Sequence, residues 1–226
     1  MPSPRPWLVA ACFIVALGVA FAAPARAAGT PLDSYLDNLR TLRASFLQTL
    51  TDAHGRELDR ATGKLLVVRP GKFSWEIHPQ HGGSAAPGGD AANTGQLMVC
   101  DGRNLWFLDR DLQQVTVKPV DAALSATPAM LLSGVADLQV HFALTPAGTR
   151  EGLEWVLVEP KGAEADFRSA LFGFAQGELK RMILEDKLGQ TATIMFEKIE
   201  RNGKVAPAEV SFTPPVGTDV IGTPVK

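Results

Sequence analysis

The sequence predicts a mainly β protein of the α+β kind, in which one long antiparallel sheet curls around an apolar interior and a few short helices cover its concave face. Three observations predict it. A helical apolar stripe behind a clear helix-start signal occurs once, near the beginning of the chain. Most of the remaining chain alternates apolar and polar residues with a period of two. The alternating runs are separated by short turn sequences and not by long crossovers, which is the pattern of sequential hairpins and a meandering sheet. Roughly ten or eleven strands in one sheet do not stay flat, and curling leaves a hollow that helices can roof.

At the N-terminus, Arg5 supplies a positive start, Trp7 to Ala23 is an apolar run, and Ala25-Arg26-Ala27 has the small-x-small pattern of a cleavage site. Residues 1–27 are therefore expected to be a removed signal peptide and 28–226 a single domain. Thr30 can cap a helix whose first position is Pro31, where the missing N–H costs nothing. Leu32, Tyr35, Leu36, Leu39 and Leu42 recur at three- and four-residue steps and predict one apolar helix face. From Arg43 the period changes to two, with Ala44, Phe46, Gln48 and Leu50 on one side, ending in the turn Asp52-Ala53-His54-Gly55. A return strand reaches Val68, and Phe73, Trp75 and Ile77 then share a face.

Pro79 to Gly95 is rich in Gly, Ala and Pro, has no period, and reads as a flexible loop insertion. Strands resume at Gln96 to Cys100, Asn104 to Leu108 and Leu112 to Lys118, with Asp101-Gly102 as a hairpin turn in which both central positions favour positive φ. Thr127 to Leu132 reads as a short capped helix closed by Ser133-Gly134. Further strands are expected at Leu138–Leu144, 152–159, 167–175, 178–186, 191–199 and Val205–Phe212, with turns at Gln176-Gly177 and Asn202-Gly203.

Composition narrows the function. Hydrophobic residues make up 46% of the 226 residues and charged residues 20%, enough for a sizeable core. Cleavage after Ala27 leaves 199 residues with 20 basic and 24 acidic side chains, a net charge of −4. That balance disfavours nucleic acid and anionic membrane surfaces as main partners. Cys12 goes with the signal, so Cys100 has no intramolecular partner and the core must hold the fold.

A catalytic constellation is not found. His78 and His81 have half of a metal spacing and no third ligand, while His54 and His141 stand apart. Ser84 has no nucleophile-elbow context, and the glycines before Lys64 lack phosphate-loop spacing. Cys100, in mid-strand, reads as a small buried hydrophobe.

Five stretches are similar to the LolA family of periplasmic lipoprotein carriers and fall in that family's order. They are Ala44-Ser45-Phe46 with Gln48; Val67-Val68-Arg69-Pro70-Gly71-Lys72-Phe73-Ser74-Trp75; Asp101-Gly102-Arg103-Asn104-Leu105-Trp106-Phe107; Thr127-Pro128 with Met130-Leu131-Leu132; and Phe212-Thr213-Pro214-Pro215. The resemblance implies an incomplete antiparallel β-barrel, or half-barrel, whose short helical lid closes over a cavity for lipoprotein acyl chains. It also implies a monomeric, non-enzymatic carrier without cofactor or metal. Such a carrier takes acylated lipoproteins from an inner-membrane lipoprotein-releasing ABC transporter and delivers them to an outer-membrane lipoprotein acceptor.

By the same resemblance Arg69 holds the lid shut through hydrogen bonds to its helices, a task suited to a guanidinium with five donors. Phe73 matches a cargo-contact aromatic. Phe46, Trp75 and Trp106, where core and cavity wall merge, and Met130, Leu131 and Leu132 as the lid's apolar face complete the candidate lipid-binding set. The insert at Pro79–Gly95 is longer than the family's usual connection. Three alternatives remain open from sequence: a carrier of another lipid with the same fold, a periplasmic sensor domain, and a secreted enzyme.

Overall fold

The computed structural model describes residues 29–80, 94–120, 128–134, 138–162, 165 and 167–225. The expected signal peptide, most of the Pro79–Gly95 insert and Thr127 lie outside the described residues.

The chain opens with α1 (Pro31–Asp37). The Thr30 hydroxyl accepts from the Asp33 N–H at 3.3 Å while the Asp33 carboxylate accepts from the Thr30 N–H at 2.7 Å, a reciprocal box behind Pro31. Leu32, Tyr35 and Leu36 are buried as the stripe predicts, but the helix stops at Asp37. Leu39 is buried in the connection and Leu42 already belongs to β1 (Thr41–Thr51). The side chain of Asn202 explains the stop: its carbonyl accepts from Arg40 N–H (2.7 Å) and its amide donates to the Asn38 carbonyl (2.9 Å). Backbone groups that another helical turn would have used are thereby satisfied.

Two antiparallel meanders make up the sheet. The first runs through β1, β2 (Glu57–Val68), β3 (Lys72–Pro79), β4 (Gln96–Cys100), β5 (Asn104–Asp109) and β6 (Gln114–Pro119). Two short helices, α2 (Pro128–Ser133) and α3 (Leu138–His141), lead to the second. That meander comprises β7 (Phe142–Arg150), β8 (Leu153–Pro160), β9 (Phe167–Ala175), β10 (Glu178–Asp186) and β11 (Thr191–Arg201). β11 pairs back onto β1 with Phe46 opposite Phe196, which joins the halves. β12 (Asp219–Ile221) adds a parallel edge to β6, so the order is β12-β6-β5-β4-β3-β2-β1-β11-β10-β9-β8-β7. Among the described residues the ends of this sheet do not pair with each other; the barrel is incomplete, as the family resemblance implies.

Three expectations need correction. Leu138–Leu144 is not one strand: residues 138–141 form α3, and Val140 is 62% exposed. β7 is an edge strand whose ladder with β8 ends at Phe142 opposite Pro160. Beyond it only the Lys161 N–H reaches back, to the His141 carbonyl at 2.9 Å, and 138–141 close on themselves as a helical turn. Val205–Phe212 is not a strand either. Pro207 has no N–H to offer a ladder, and the Glu209 carboxylate takes the Ala206 N–H at 2.9 Å, closing a 3₁₀ turn over Pro207–Val210. The Asp101-Gly102 hairpin is real but has four loop residues, since Cys100 pairs with Leu105. Only Gly102 of the pair has positive φ, at 97°. The Asp101 carboxylate accepts from the Arg103 and Asn104 N–H groups at 2.8 Å each, so the side chain shapes the turn.

Alternation then sorts the core. One face of the sheet carries the larger cluster, with Phe46, Leu65, Val67, Phe73, Trp75, Phe172, Phe174 and Met182, and α1 and α2 pack onto it. The opposite face carries a smaller cluster of Val99, Trp106, Leu108, Val115 and Val117, covered by Phe212. The C-terminal stretch is pinned there by paired bonds between the Asn104 side chain and the Val225 backbone, 2.8 and 2.9 Å.

Candidate functional site

The concave face holds a hollow of about 200 Å³ between β1, β3, β4, β5, β10 and β11. Its wall is mainly apolar: Trp75 and Ile77 from β3, Met98 and Phe107 from the next hairpin, and Leu184, Ala192 and Ile194 from the second meander. Gln48 and Gln96 are its polar members. The register explains the grouping. Trp75 lies opposite Met98, Met98 opposite Phe107, Gln48 opposite Ile194, and Leu184 opposite Ala192, all on the same side of the sheet.

One residue of the sequence-predicted set, Trp75, lines this hollow. Phe46 sits behind it, edge-on to the Trp75 ring at 5.4 Å and to Phe196 at 6.4 Å. Its own ring lies over Gly63, where an added Cβ would overlap Phe46 Cζ and the Glu76 carbonyl oxygen. Phe73 is fully buried nearer the helices, and Met130, Leu131 and Leu132 are buried in α2 within the same cluster. Trp106 is not brought together with them. It is one residue out of phase with Phe107, packs on the convex face at 5.4 Å from the Phe212 ring, and donates its indole N–H to Asp101 at 2.8 Å.

The helices are clasped at one end of the hollow by the β2–β3 turn. Arg69 Nη1–H donates to the Leu36 carbonyl at the end of α1 (3.2 Å). Its guanidinium packs against Gly134, directly after α2, where a Cβ would fall 2.8 Å from Nη2. Two residues on, the Gly71 N–H donates to the Ser133 carbonyl at the end of α2 (2.8 Å). Burial pushes the Arg69 guanidinium below its ordinary pKa, opposed by Asp37, and it remains a cation. The turn therefore touches the last carbonyls of both helices, where a cation is favoured.

A second arginine, which carries no signal of its own in the sequence, grips α1 from the other side. Arg201 lies 4.4 Å over the Tyr35 ring, donates to the Tyr35 carbonyl at 3.4 Å, and is paired with Glu178 at 3.0 Å. Tyr35 also packs against Phe174 at 5.4 Å. Burial raises the Tyr35 phenol above its usual range, against the pull of Arg201. An aromatic in the helix stripe and an Arg at a distant strand end give no local sign of their meeting.

Acid–base chemistry is poorly provided for at this site. Among the described residues no group of three His, Cys, Asp or Glu could hold a metal ion. Cys100 is fully buried, its thiol donating to the Gly71 carbonyl at 3.1 Å, and burial pushes its pKa up, away from nucleophile character. His78 Nδ1 lies 3.2 Å from the Thr94 carbonyl, and Glu76 is shared between His78 (3.4 Å) and Arg110 (2.7 Å) at the sheet's flank. Among the described residues no helix is long and apolar enough to cross a membrane.

Comparison with known proteins adds the family context. The family model described as "Outer membrane lipoprotein carrier protein LolA" matches residues 37–213. A protein of Dechloromonas aromatica named outer-membrane lipoprotein carrier protein is 41% identical over 191 residues, 84% of this chain and 86% of that one. One of the same name from Methylobacillus flagellatus is 34% identical over 217 residues, 96% of this chain and 98% of that one. A solved LolA superfamily protein from Nitrosomonas europaea aligns with a TM-score of 0.44 and 12% identity, covering 82% of this chain and 99% of that one.

Proposed function

Since the chain belongs to the LolA family of outer-membrane lipoprotein carrier proteins, we propose that it takes up the acyl chains of lipoproteins in its concave hollow and ferries them across the periplasm. Members of the family are carriers and not enzymes. The observation that supports this use of the fold is the apolar, strand-lined hollow on the sheet face onto which α1 and α2 pack. In this reading the inner-membrane lipoprotein-releasing ABC transporter supplies the cargo and an outer-membrane acceptor receives it. Phe46, Phe73, Trp75, Met130, Leu131 and Leu132 belong to the wall that opens around the chains, and Arg69 is the gate.

The energetics suit the task. Burying hydrocarbon gains roughly 0.8 kcal/mol per CH₂, so a chain of about 15 methylenes brings on the order of 12 kcal/mol gross. At about 200 Å³ the hollow is smaller than the ~300–1,000 Å³ of ordinary ligand pockets. Taking an acyl chain therefore requires α1 and α2 to move or the wall to repack. Met98 and Leu184, unbranched at Cβ, suit such repacking.

Native mass spectrometry of the protein purified from periplasm tests the proposal. Bound acylated lipoprotein, or its lipid-modified N-terminal peptide, is the expected result. Phospholipid or glycolipid as the sole bound species would overturn the choice of cargo.

A further inference from the structure

The hollow is not uniformly greasy. Trp75 is only 8% exposed, and its indole N–H has no hydrogen-bond acceptor among the described residues. A buried tryptophan ordinarily finds a partner for that group, and a donor left unmatched away from water is destabilising. The same hollow is lined by Gln48 and Gln96. Both amides bring donors to a wall otherwise built of apolar side chains.

Their placement is graded. The clasp lies at the Val68–Lys72 pair; Trp75 pairs with Leu65 and Met98, Ile77 with Gln96, and Gln48 with Ala61 and Ile194. At about 3.3 Å per residue, Gln96 stands roughly 17 Å along the strands from the clasp. The indole and the two amides thus lie toward the end away from the helices. Phe73, Val67 and Met130 to Leu132 occupy the clasp end, where Arg69 bonds the Leu36 carbonyl and the Ser133 hydroxyl that of Met130.

We infer that Trp75, Gln48 and Gln96 form a carbonyl-reading set, which accepts the acyl carbonyl of the bound lipid and so fixes the depth and direction of the chains in the hollow. This rests on the carrier reading above and adds to it a polar specificity. The chemistry selected is a carbonyl joined to a long chain, whether the ester of a glyceryl group or the amide of an acylated amine. A hydrocarbon tail alone satisfies the wall; as the wall opens around the chains, the carbonyl also satisfies the indole N–H, which is sealed within the closed wall. The chain end then points toward α2 and the head group toward the Gln96 side. Bonds of this kind are worth roughly a three- to tenfold preference for lipids that carry the carbonyl.

The test is competition binding with the mature protein and three displacing lipids: a dipalmitoylglyceryl-cysteine peptide, its dihexadecyl ether counterpart, and an N-palmitoyl peptide without the glyceryl group. The wild type is expected to bind the ester three- to tenfold more tightly than the ether. Trp75→Phe, which keeps a ring, and Gln48→Leu, which keeps the volume, should each bring that ratio toward one, whatever either does to the affinity for the ether itself. A cooperative thermal melt and an unchanged far-ultraviolet circular dichroism spectrum show that the variants are folded. The N-palmitoyl peptide tells amide from ester: loss of its affinity in Trp75→Phe assigns the indole to the amide carbonyl, and retention assigns it to the ester. Equal binding of ester and ether by the wild type overturns the inference and leaves the carrier reading standing. So does a preference that survives Trp75→Phe, Gln48→Leu and Gln96→Leu alike. Failure of all three lipids to bind overturns the carrier reading, and this inference with it.

Discussion

Replacing Gly63 by Ala probes the packing under the hollow with one methyl group. Gly63 lies in β2 between Phe46 of β1 and Ile77 of β3, and a Cβ there would overlap both the Phe46 ring and the Glu76 carbonyl oxygen. The ring could swing aside; the carbonyl is part of the β2–β3 ladder and could not. Added methylenes in a packed core cost about 1–3 kcal/mol, and a clash with backbone puts this site at the upper end, about 3 kcal/mol. For a domain of this size each kcal/mol lowers the melting temperature by roughly 2–4 °C, so a drop of about 6–12 °C is expected. Urea denaturation of the mature protein should show the same loss with an unchanged m-value. Phe46→Leu removes the ring from Gly63, so in that background the Ala substitution should cost less by about 1 kcal/mol, the remainder belonging to the carbonyl. Because Phe46 abuts Trp75, lipid affinity should fall in the single variant as well. A cost for Gly63→Ala below about 0.5 kcal/mol, or one identical in both backgrounds, would refute this account of how the wall is seated.

Three further predictions concern the clasp, the acid limb and the thiol. Arg69→Leu removes the bond to the Leu36 carbonyl, so amide exchange in α1 should quicken severalfold while lipid still binds; handover to the acceptor should stall, and delivery at the normal rate would sink the gate. Burial raises the Asp101 pKa, but bonds from the Asn104 N–H, the Trp106 indole and the Arg103 N–H outweigh it and hold the carboxylate below its usual range. Its contribution is thus present above the unfolded value near pH 4 and lost as pH falls through the lower folded value, and Asp101→Asn should flatten stability over that window in pH-dependent melting. Cys100 should resist iodoacetamide at neutral pH in the folded protein and react at the rate of opening in mild denaturant, whereas rapid native labelling would contradict its burial.

Much of the fold is legible in the sequence because period-two alternation and turn residues are local. Gln176 and Gly177 both adopt positive φ, 53° and 75°, and close a two-residue turn with Ala175 opposite Glu178. Thr30-Pro31 announces α1 for equally local reasons. The elements that depart from expectation depend on partners. Leu42 continues a helical spacing, yet it is claimed by a strand with neighbours on both sides. Val205–Phe212 alternates acceptably but lies across the convex face, where Glu209 pairs with Arg43 at 2.8 Å. β12 is three exposed residues with no hairpin to mark them. The site shows the same division. The stretch from Arg69 to Trp75 marks the clasp and the wall, while Met98, Leu184 and Ile194 join the hollow only through a cross-strand register that alternation does not encode. Trp106 lies outside the cavity that its aromatic neighbourhood suggests, because one strand alone does not say which of its faces is concave.

The clasp also bears on how a carrier can let go. About 12 kcal/mol of gross burial for a single chain would correspond, if fully realised, to a nanomolar Kd, and a second or third chain would make release negligibly slow. A hollow held permanently open would realise most of it. The hollow is small and two helix ends are tied by the Arg69–Leu36 and Gly71–Ser133 bonds; in the proposed reading, admitting cargo undoes those bonds. Each such bond subtracts about 0.5–1.5 kcal/mol from the net affinity, more where a charge is involved. Arg201 on Tyr35 adds a third tie on α1. In that reading the same ties favour closure of α1 and α2 once cargo leaves, which an acceptor with a more open apolar surface would exploit. Weakening a tie should therefore tighten binding and slow release together, since both depend on the one opening equilibrium. This is why Arg69→Leu should hold its lipid and fail to pass it on, and why Arg201→Met should err in the same direction by a smaller amount.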